Sequence, residues 1–183
     1  MAGVLGARAV AGGNSVQVLG RDAAMAAALA GALGGSATAG TIGDTPLTGD
    51  IVILAVPYAD AAPIVRRFGD ALTGKVIVDI TNPFDPTTPS GLATPADSSA
   101  AQEIANAAPA GTHVVKAFNT LFSGVLAAGE VAGRPVDVFL AGGDTDAKNA
   151  VSSFVDSIGL RSLDAGDLKF AHWLGGAGLL ILG

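Results

Sequence analysis

Three apolar runs constrain this chain more than any other feature, because each stops abruptly at a small or polar turn: Ile51 to Pro57, Val76 to Asn82 and Val114 to Ser123. Short runs of Val, Ile and Leu bounded by turn formers are the pattern of strands covered on both faces. Ala-rich helical stretches separate them, and strands alternating with helices imply a doubly wound, mostly parallel α/β sheet in three layers. In open sheets of this kind ligands bind outside the carboxyl ends of the strands, so the three turns mark one edge of one site.

Along the chain, residues 2 to 12 read as a helix closed by Gly12 and Gly13, and Ser15 to Leu19 as a short strand. Asp22 is placed to cap an Ala-rich helix that ends near Gly34 and Gly35. The stretch 36 to 50 is weakly patterned, with room for one edge strand and a loop. A helix over Ala59 to Leu72, a strand over Lys75 to Ile80 and a turn over Thr81 to Asp85 follow. Pro86, Pro89 and Pro95 make the next segment, to Asp97, a loop over the same edge. Further helices are expected near Ser98 to Ala107, Asp144 to Ser157 and from Leu168 onward, with a short one after the Val114 strand. Strands are expected at Val136 to Leu140 and Leu160 to Leu163.

Composition narrows the function. With 183 residues the chain is long enough for one full core and too short for a separate substrate domain. Ten Lys and Arg against 16 Asp and Glu give a net charge of −6 with no basic block, which argues against nucleic acid as a partner. Cysteine is absent, which removes thiolate nucleophiles, iron–sulfur clusters and Cys-based zinc sites, so redox chemistry would rest on a bound organic cofactor. Arg8 interrupts the apolar opening, and no stretch reaches the roughly 18 uninterrupted apolar residues of a membrane span. The expectation is a cytoplasmic protein without a membrane partner.

At Asn82-Pro83-Phe84-Asp85, at Val114 to Ser123, at Asp137 to Asp144 and at Leu163 to Gly166 the sequence resembles the NADPH-dependent coenzyme F420 reductase family, small Rossmann proteins similar to the reductase domain of membrane ferric reductases. The likeness covers nearly the whole chain and implies a single NAD(P)-binding Rossmann-like domain over residues 1–183. It further implies hydride transfer between NADPH and a deazaflavin (coenzyme F420) or flavin-type acceptor, with both rings along the strand edge. Family members open with a strand and a Gly-x-Gly-x-x-Gly turn, and no such spacing occurs here. The expectation is therefore a domain lacking its first strand, roughly 10 residues with the turn, whose neighbours would stand about 9 to 10 Å apart. The end at Gly183 inside an apolar run suggests a shortened tail as well.

Candidate cofactor contacts fall at the strand ends. Gly20 leaves room beside Arg21, which follows a strand where an acid would select NAD and an Arg would accept the 2′-phosphate of NADP; a solvated Arg is the bland alternative. Met25 stands where the family often has a second phosphate-binding Lys. Ala55, Val56 and Pro57 would pack along the nucleotide in the resembling family, or simply end a strand, and Tyr58 would stack on adenine or cover the edge. Asn82 and Pro83 offer a carboxamide to a ribose or the nicotinamide, against an ordinary Asx turn. Ala117 offers a flat surface to the nicotinamide, with Asn119 and Thr120 as polar contacts. Lys116 is expected to point away, at the surface or in an ion pair. His113 and His172 lack a second ligand at metal spacing, no metal site is expected, and hydride transfer needs no dedicated catalytic residue. Ser98-Ser99 and Ser152-Ser153 read as helix caps. Small-molecule cofactors are the expected partners, and a homodimer is a candidate assembly. The rival readings are a non-catalytic NADP-binding sensor and a fragment inactive for want of its phosphate cradle.

Overall fold

The structure is a computed structural model and describes residues 1–85, 87 and 91–182. Its elements run α1 (Ala2–Ala11), β1 (Gln17–Gly20), α2 (Ala23–Leu33), β2 (Thr38–Thr41), β3 (Ile51–Leu54), α3 (Tyr58–Phe68), β4 (Val76–Asp79), α4 (Ala100–Ala107) and β5 (His113–Lys116). They continue as α5 (Ser123–Ala128), β6 (Glu130–Val131), β7 (Arg134–Pro135), β8 (Asp137–Gly142), α6 (Thr145–Ser157), β9 (Arg161–Gly166) and α7 (Ala171–Leu182). Pro86, Pro89 and Gly183, which entered the sequence reading, lie outside the described residues.

Five strands form the main sheet in the order β3-β4-β5-β8-β9. The first three pair in parallel, and Leu54, Asp79 and Lys116 stand level at their ends. Strict alternation then sorts the side chains. Val78, Val115, Val138 and Leu140 face α1, α5 and α6 in one core, while Ile77, Val114 and Ala141 face α3, α4 and α7 in the other. Helices on both faces give the three layers expected of a doubly wound sheet.

The sheet departs from uniform parallel pairing where β8 joins β5 antiparallel, Val115 opposite Gly142 and Lys116 opposite Ala141. A parallel return carries the chain back along the full strand length, usually through a long helix. Here the chain has only the six-residue α5 and the small β6–β7 hairpin, whose Ala132 and Gly133 take the two positive φ values, 52° and 72°, of a tight turn.

The β1–β2 pair is a separate parallel ribbon. Among the described residues no ladder joins β1 to β3; the Gln17 side chain bridges instead, donating to the Pro46 carbonyl at 2.9 Å and accepting from the Thr48 amide at 3.2 Å. Asp22 caps α2 through the amides of Ala24 and Met25, as expected, and Asp144, expected as the first residue of its helix, instead caps α6 through Ala147. Ser99 likewise caps α4, but Ser152 and Ser153 lie inside α6, where the Ser152 and Ser162 hydroxyls pair at 2.6 Å. No helix among the described residues is long and apolar enough to cross a membrane.

Arg8 holds α1 in place. Its guanidinium donates to the Ile158 carbonyl at 2.7 and 3.1 Å and to the Ala127 carbonyl at 3.3 Å, so one cation serves the carboxyl ends of α6 and α5 together. Both helix ends carry partial negative charge, which reinforces the hydrogen bonds. Arg8→Met, which keeps the aliphatic stem, is expected to cost about 1.5 to 3 kcal/mol, the range for hydrogen bonds to a charged group. Thermal melting would show this as a fall of several degrees.

Candidate functional site

Four parallel-strand ends, Gly20, Leu54, Asp79 and Lys116, precede the four candidate segments. The β1 tip reaches α3, because the Arg21 guanidinium lies 3.5 Å from the carboxylate of Asp60 in the first turn of α3. Arg21 is 73% exposed and so loosely held that its donors remain available. Beside it, a Cβ at Gly20 would stand 3.2 Å from the Asp22 carbonyl oxygen and 3.3 Å from the Ala26 methyl, so glycine permits close approach of strand and helix. Ala55 and Pro57 are exposed, Val56 is half-buried, and Pro57 stands immediately before α3.

The centre of the edge is built on an ion pair that the sequence reading placed only in part. Lys116 is an ion-pair residue, but it is 1% exposed rather than at the surface. Its ammonium donates to Asp79 Oδ2 at 2.8 Å and to the Thr81 carbonyl. Strand alternation fails to expose it because both faces of this sheet are covered, so either direction leads into protein. Burial pushes the Lys116 ammonium below its ordinary value, with the Asp79 carboxylate opposing the shift. Asp79 was not singled out, although an acid and a base at matching ends of neighbouring apolar strands were a readable signal. Its second oxygen accepts the Thr81 amide at 2.8 Å, which turns the chain toward Asn82.

Asn82 and Asn119 then meet across the edge. Asn82 Nδ2 donates to the Asn119 carbonyl at 3.0 Å, and Asn119 Nδ2 donates to Asn82 Oδ1 at 3.1 Å and to the Leu174 carbonyl of α7 at 2.8 Å. This reciprocal pair requires a sharp turn after β5, and Phe118 supplies it with a φ of 60°. Such a conformation is costly for a bulky residue, on the order of 1 to 3 kcal/mol, and persists only where surroundings enforce it. Here the buried ring packs edge-on against Phe154 at 6.5 Å.

Three expectations change. Ala117 is fully buried, with its methyl in the core on the α6 side, so it presents no surface to a ring. Tyr58 does not stand free to stack on adenine: its hydroxyl donates to Glu103 Oε2 of α4 at 2.6 Å. Asn119 and Asn82 are not bare polar ends, since α7 lies over them; a Cβ at Gly178 would come 2.7 Å from Asn82 Oδ1 and 2.9 Å from Asn119 Nδ2. Helix α7 carries no charged residue, and nothing local in its sequence announces that it covers the site. Pro83 is buried beside Asn82, and Thr120 is half-buried. His172 is bound through Nδ1 to the Ser98 carbonyl at 2.9 Å, and His113 lies 3.6 Å from Asp144, both remote from the Asn pair in their bonding.

Residues 1–83 match the model of the family described as NADP oxidoreductase, coenzyme F420-dependent. The F420-dependent NADP reductase of Methanocaldococcus jannaschii is 32% identical over 132 residues, 69% of this chain and 57% of that protein. A hypothetical protein from Sinorhizobium meliloti superposes with a TM-score of 0.79 at 31% identity, covering 91% of this chain and 80% of the other. A candidate F420-dependent NADP reductase from Arthrobacter superposes with a TM-score of 0.83 at 23% identity, covering 98% and 86%. The chain belongs to the coenzyme F420-dependent NADP oxidoreductase family. It spans little more than half of the Methanocaldococcus relative. In this family member the strand-end edge is closed from above by α7 and from below by the Lys116–Asp79 pair.

The pair leads to a paired test. Lys116→Met alone leaves a buried carboxylate without its partner and is expected to cost about 3 to 5 kcal/mol, whereas Lys116→Met with Asp79→Leu should recover most of it. Chemical denaturation of the three proteins measures both differences. The Tyr58 hydroxyl is pushed up to about 12 by burial and by its bond to Glu103. A raised phenol binds its proton more tightly folded than unfolded, so its contribution is complete below pH 10 and is lost as pH rises toward 12. Tyr58→Phe should cost about 1 kcal/mol near neutrality, and melts at pH 8 and at pH 11.5 should show that gap closing.

Proposed function

We propose that this protein binds NADP(H) along the strand-end edge and transfers hydride between it and a deazaflavin, coenzyme F420, or a flavin-type acceptor. The observation that carries the reading is the Asn82–Asn119 pair, fixed at the tips of two adjacent parallel strands by a strained Phe118 and by α7. Family membership and the activity of the Methanocaldococcus relative, an F420-dependent NADP reductase, support the same direction.

The residues fit the cofactor at both ends. At the adenosine end, Arg21 is exposed and only weakly paired, and would hold the 2′-phosphate. Gly20 keeps that corner narrow, while Ala55, Val56 and Pro57 bring backbone to the edge without bulk. At the other end the half-buried Asn82 retains one amide hydrogen after its bond to Asn119 and would donate it to a carboxamide, while Asn119, buried beneath α7, would hold Asn82 in place. Bound NADPH would supply the hydride. The protein's part is to align the two rings and exclude water, which needs no proton-transferring side chain. Thr120, half-buried beyond Asn119, is the remaining polar contact at that end.

A charge-assisted contact from Arg21 to a phosphate is worth on the order of 1.5 to 3 kcal/mol. Arg21→Ala is therefore expected to weaken NADPH about ten- to a hundredfold and NADH hardly at all, as read by titration calorimetry. Equal losses would remove Arg21 from the 2′-phosphate. Reduction of coenzyme F420 or flavin by NADPH then tests the acceptor; tight NADPH binding with no reduction of either would favour a non-catalytic nucleotide-binding role.

A further inference from the structure

The tip of β1 pairs one cation with one acid from a different element. Arg21 leaves β1 at 73% exposure, and Asp60, in the first turn of α3, stands 3.5 Å from its guanidinium at 35% exposure. An acid in a first helical turn is favoured by the helix dipole, which accounts for the residue type. It does not account for the direction, toward the β1 tip. The contact is longer than the roughly 2.7 to 2.9 Å of a charge-assisted hydrogen bond, so the Asp60 oxygens keep their acceptor positions.

The neighbouring acid is taken up elsewhere. Asp22 directly follows Arg21, but its Oδ1 accepts the amides of Ala24 and Met25 at 2.8 and 3.1 Å as the cap of α2. Met25, 72% exposed, adds no charge. Among the described residues the corner thus has one cation, Arg21, and one carboxylate not already used as a cap, Asp60.

We infer that Asp60 sets the nucleotide preference at this corner: it competes with the 2′-phosphate of NADP(H) for Arg21 and accepts the 2′-hydroxyl of NAD(H). The inference rests on the placement of the adenosine end of the cofactor at Arg21. A 2′-phosphate brings its negative charge to a guanidinium that Asp60 already neutralises, and the displaced carboxylate stays close enough to repel it. A ribose hydroxyl is instead a donor that a carboxylate takes directly, the service that an acid near a strand end performs in nucleotide-binding sheets. Here the acid comes from α3 rather than from the turn after β1. Arg21 and Asp60 therefore pull in opposite directions, and the protein takes both nucleotides with a smaller margin for NADP(H) than Arg21 alone would give.

Asp60→Asn keeps the shape of the side chain and removes its charge. Titration calorimetry of the full chain is expected to show NADPH bound about three- to fivefold more tightly by this variant, the scale of an exposed ion pair. NADH should bind about three- to tenfold more weakly, the difference between a charged and a neutral acceptor. Asp60→Glu, which retains the charge, should move the ratio of the two affinities less, and thermal melting reports any loss of helix support separately. A ratio that Asp60→Asn leaves unchanged, or an equal change for both nucleotides, would overturn the role of Asp60 while a selective loss of NADPH in Arg21→Ala kept the corner in place. Equal losses in Arg21→Ala, or no binding of either nucleotide, would overturn the placement of the adenosine end and the inference with it.

Discussion

The interaction on which the rest of this structure depends is the Lys116–Asp79 pair between the two central parallel strands. At 1% and 0% exposure neither charge reaches water, so each stands in for the other's solvation. Such a pair is poor as a source of stability, since removing two ions from water costs about as much as their attraction returns. Its effect is positional. It joins residues already level in the β4–β5 register, and its remaining bonds go to the amide and carbonyl of Thr81, the first turn beyond the sheet. The direction in which the chain leaves β4 follows from it.

The polar bonding of the sheet then continues past the last ladder hydrogen bonds as a reciprocal contact between side chain and main chain. Asn82 and Asn119 occupy equivalent places after β4 and β5 and satisfy each other, with the Leu174 carbonyl as third partner. Phe118 accepts a left-handed backbone so that Asn119 can face Asn82 while the phenyl ring enters the core. Rigid elements, β4, β5 and α7, support each member of this group. The tip of β1 is softer: Arg21 is exposed, and its one ion pair among the described residues spans 3.5 Å.

Helix α7 links the two levels. Gly178 is required to be small, because any side chain there would strike the Asn pair. A helix of this composition has little periodic contrast, so the sequence alone did not distinguish the face against the sheet from the face left outside. The antiparallel entry of β8 escaped notice for a similar reason. Apolar runs look alike in either direction, and only the path from β5 through the short helix α5 and the β6–β7 hairpin decides which way the strand runs.

The sequence by itself determined the layers, the order of the main strands and helices, and the caps at Asp22 and Ser99. These follow from local physics, namely apolar run length, turn chemistry and oxygen-bearing residues before helices. The Asn82 and Asn119 candidates were legible because they end apolar strands. What the tertiary structure decided was which way each side chain at that edge is used: Ala117 into the core, Tyr58 to Glu103, Lys116 inward to Asp79, and α7 down onto Asn119. Those outcomes depend on groups 37 to 55 residues apart along the chain, and burial on both faces of the sheet erases the alternation from which orientation is otherwise read.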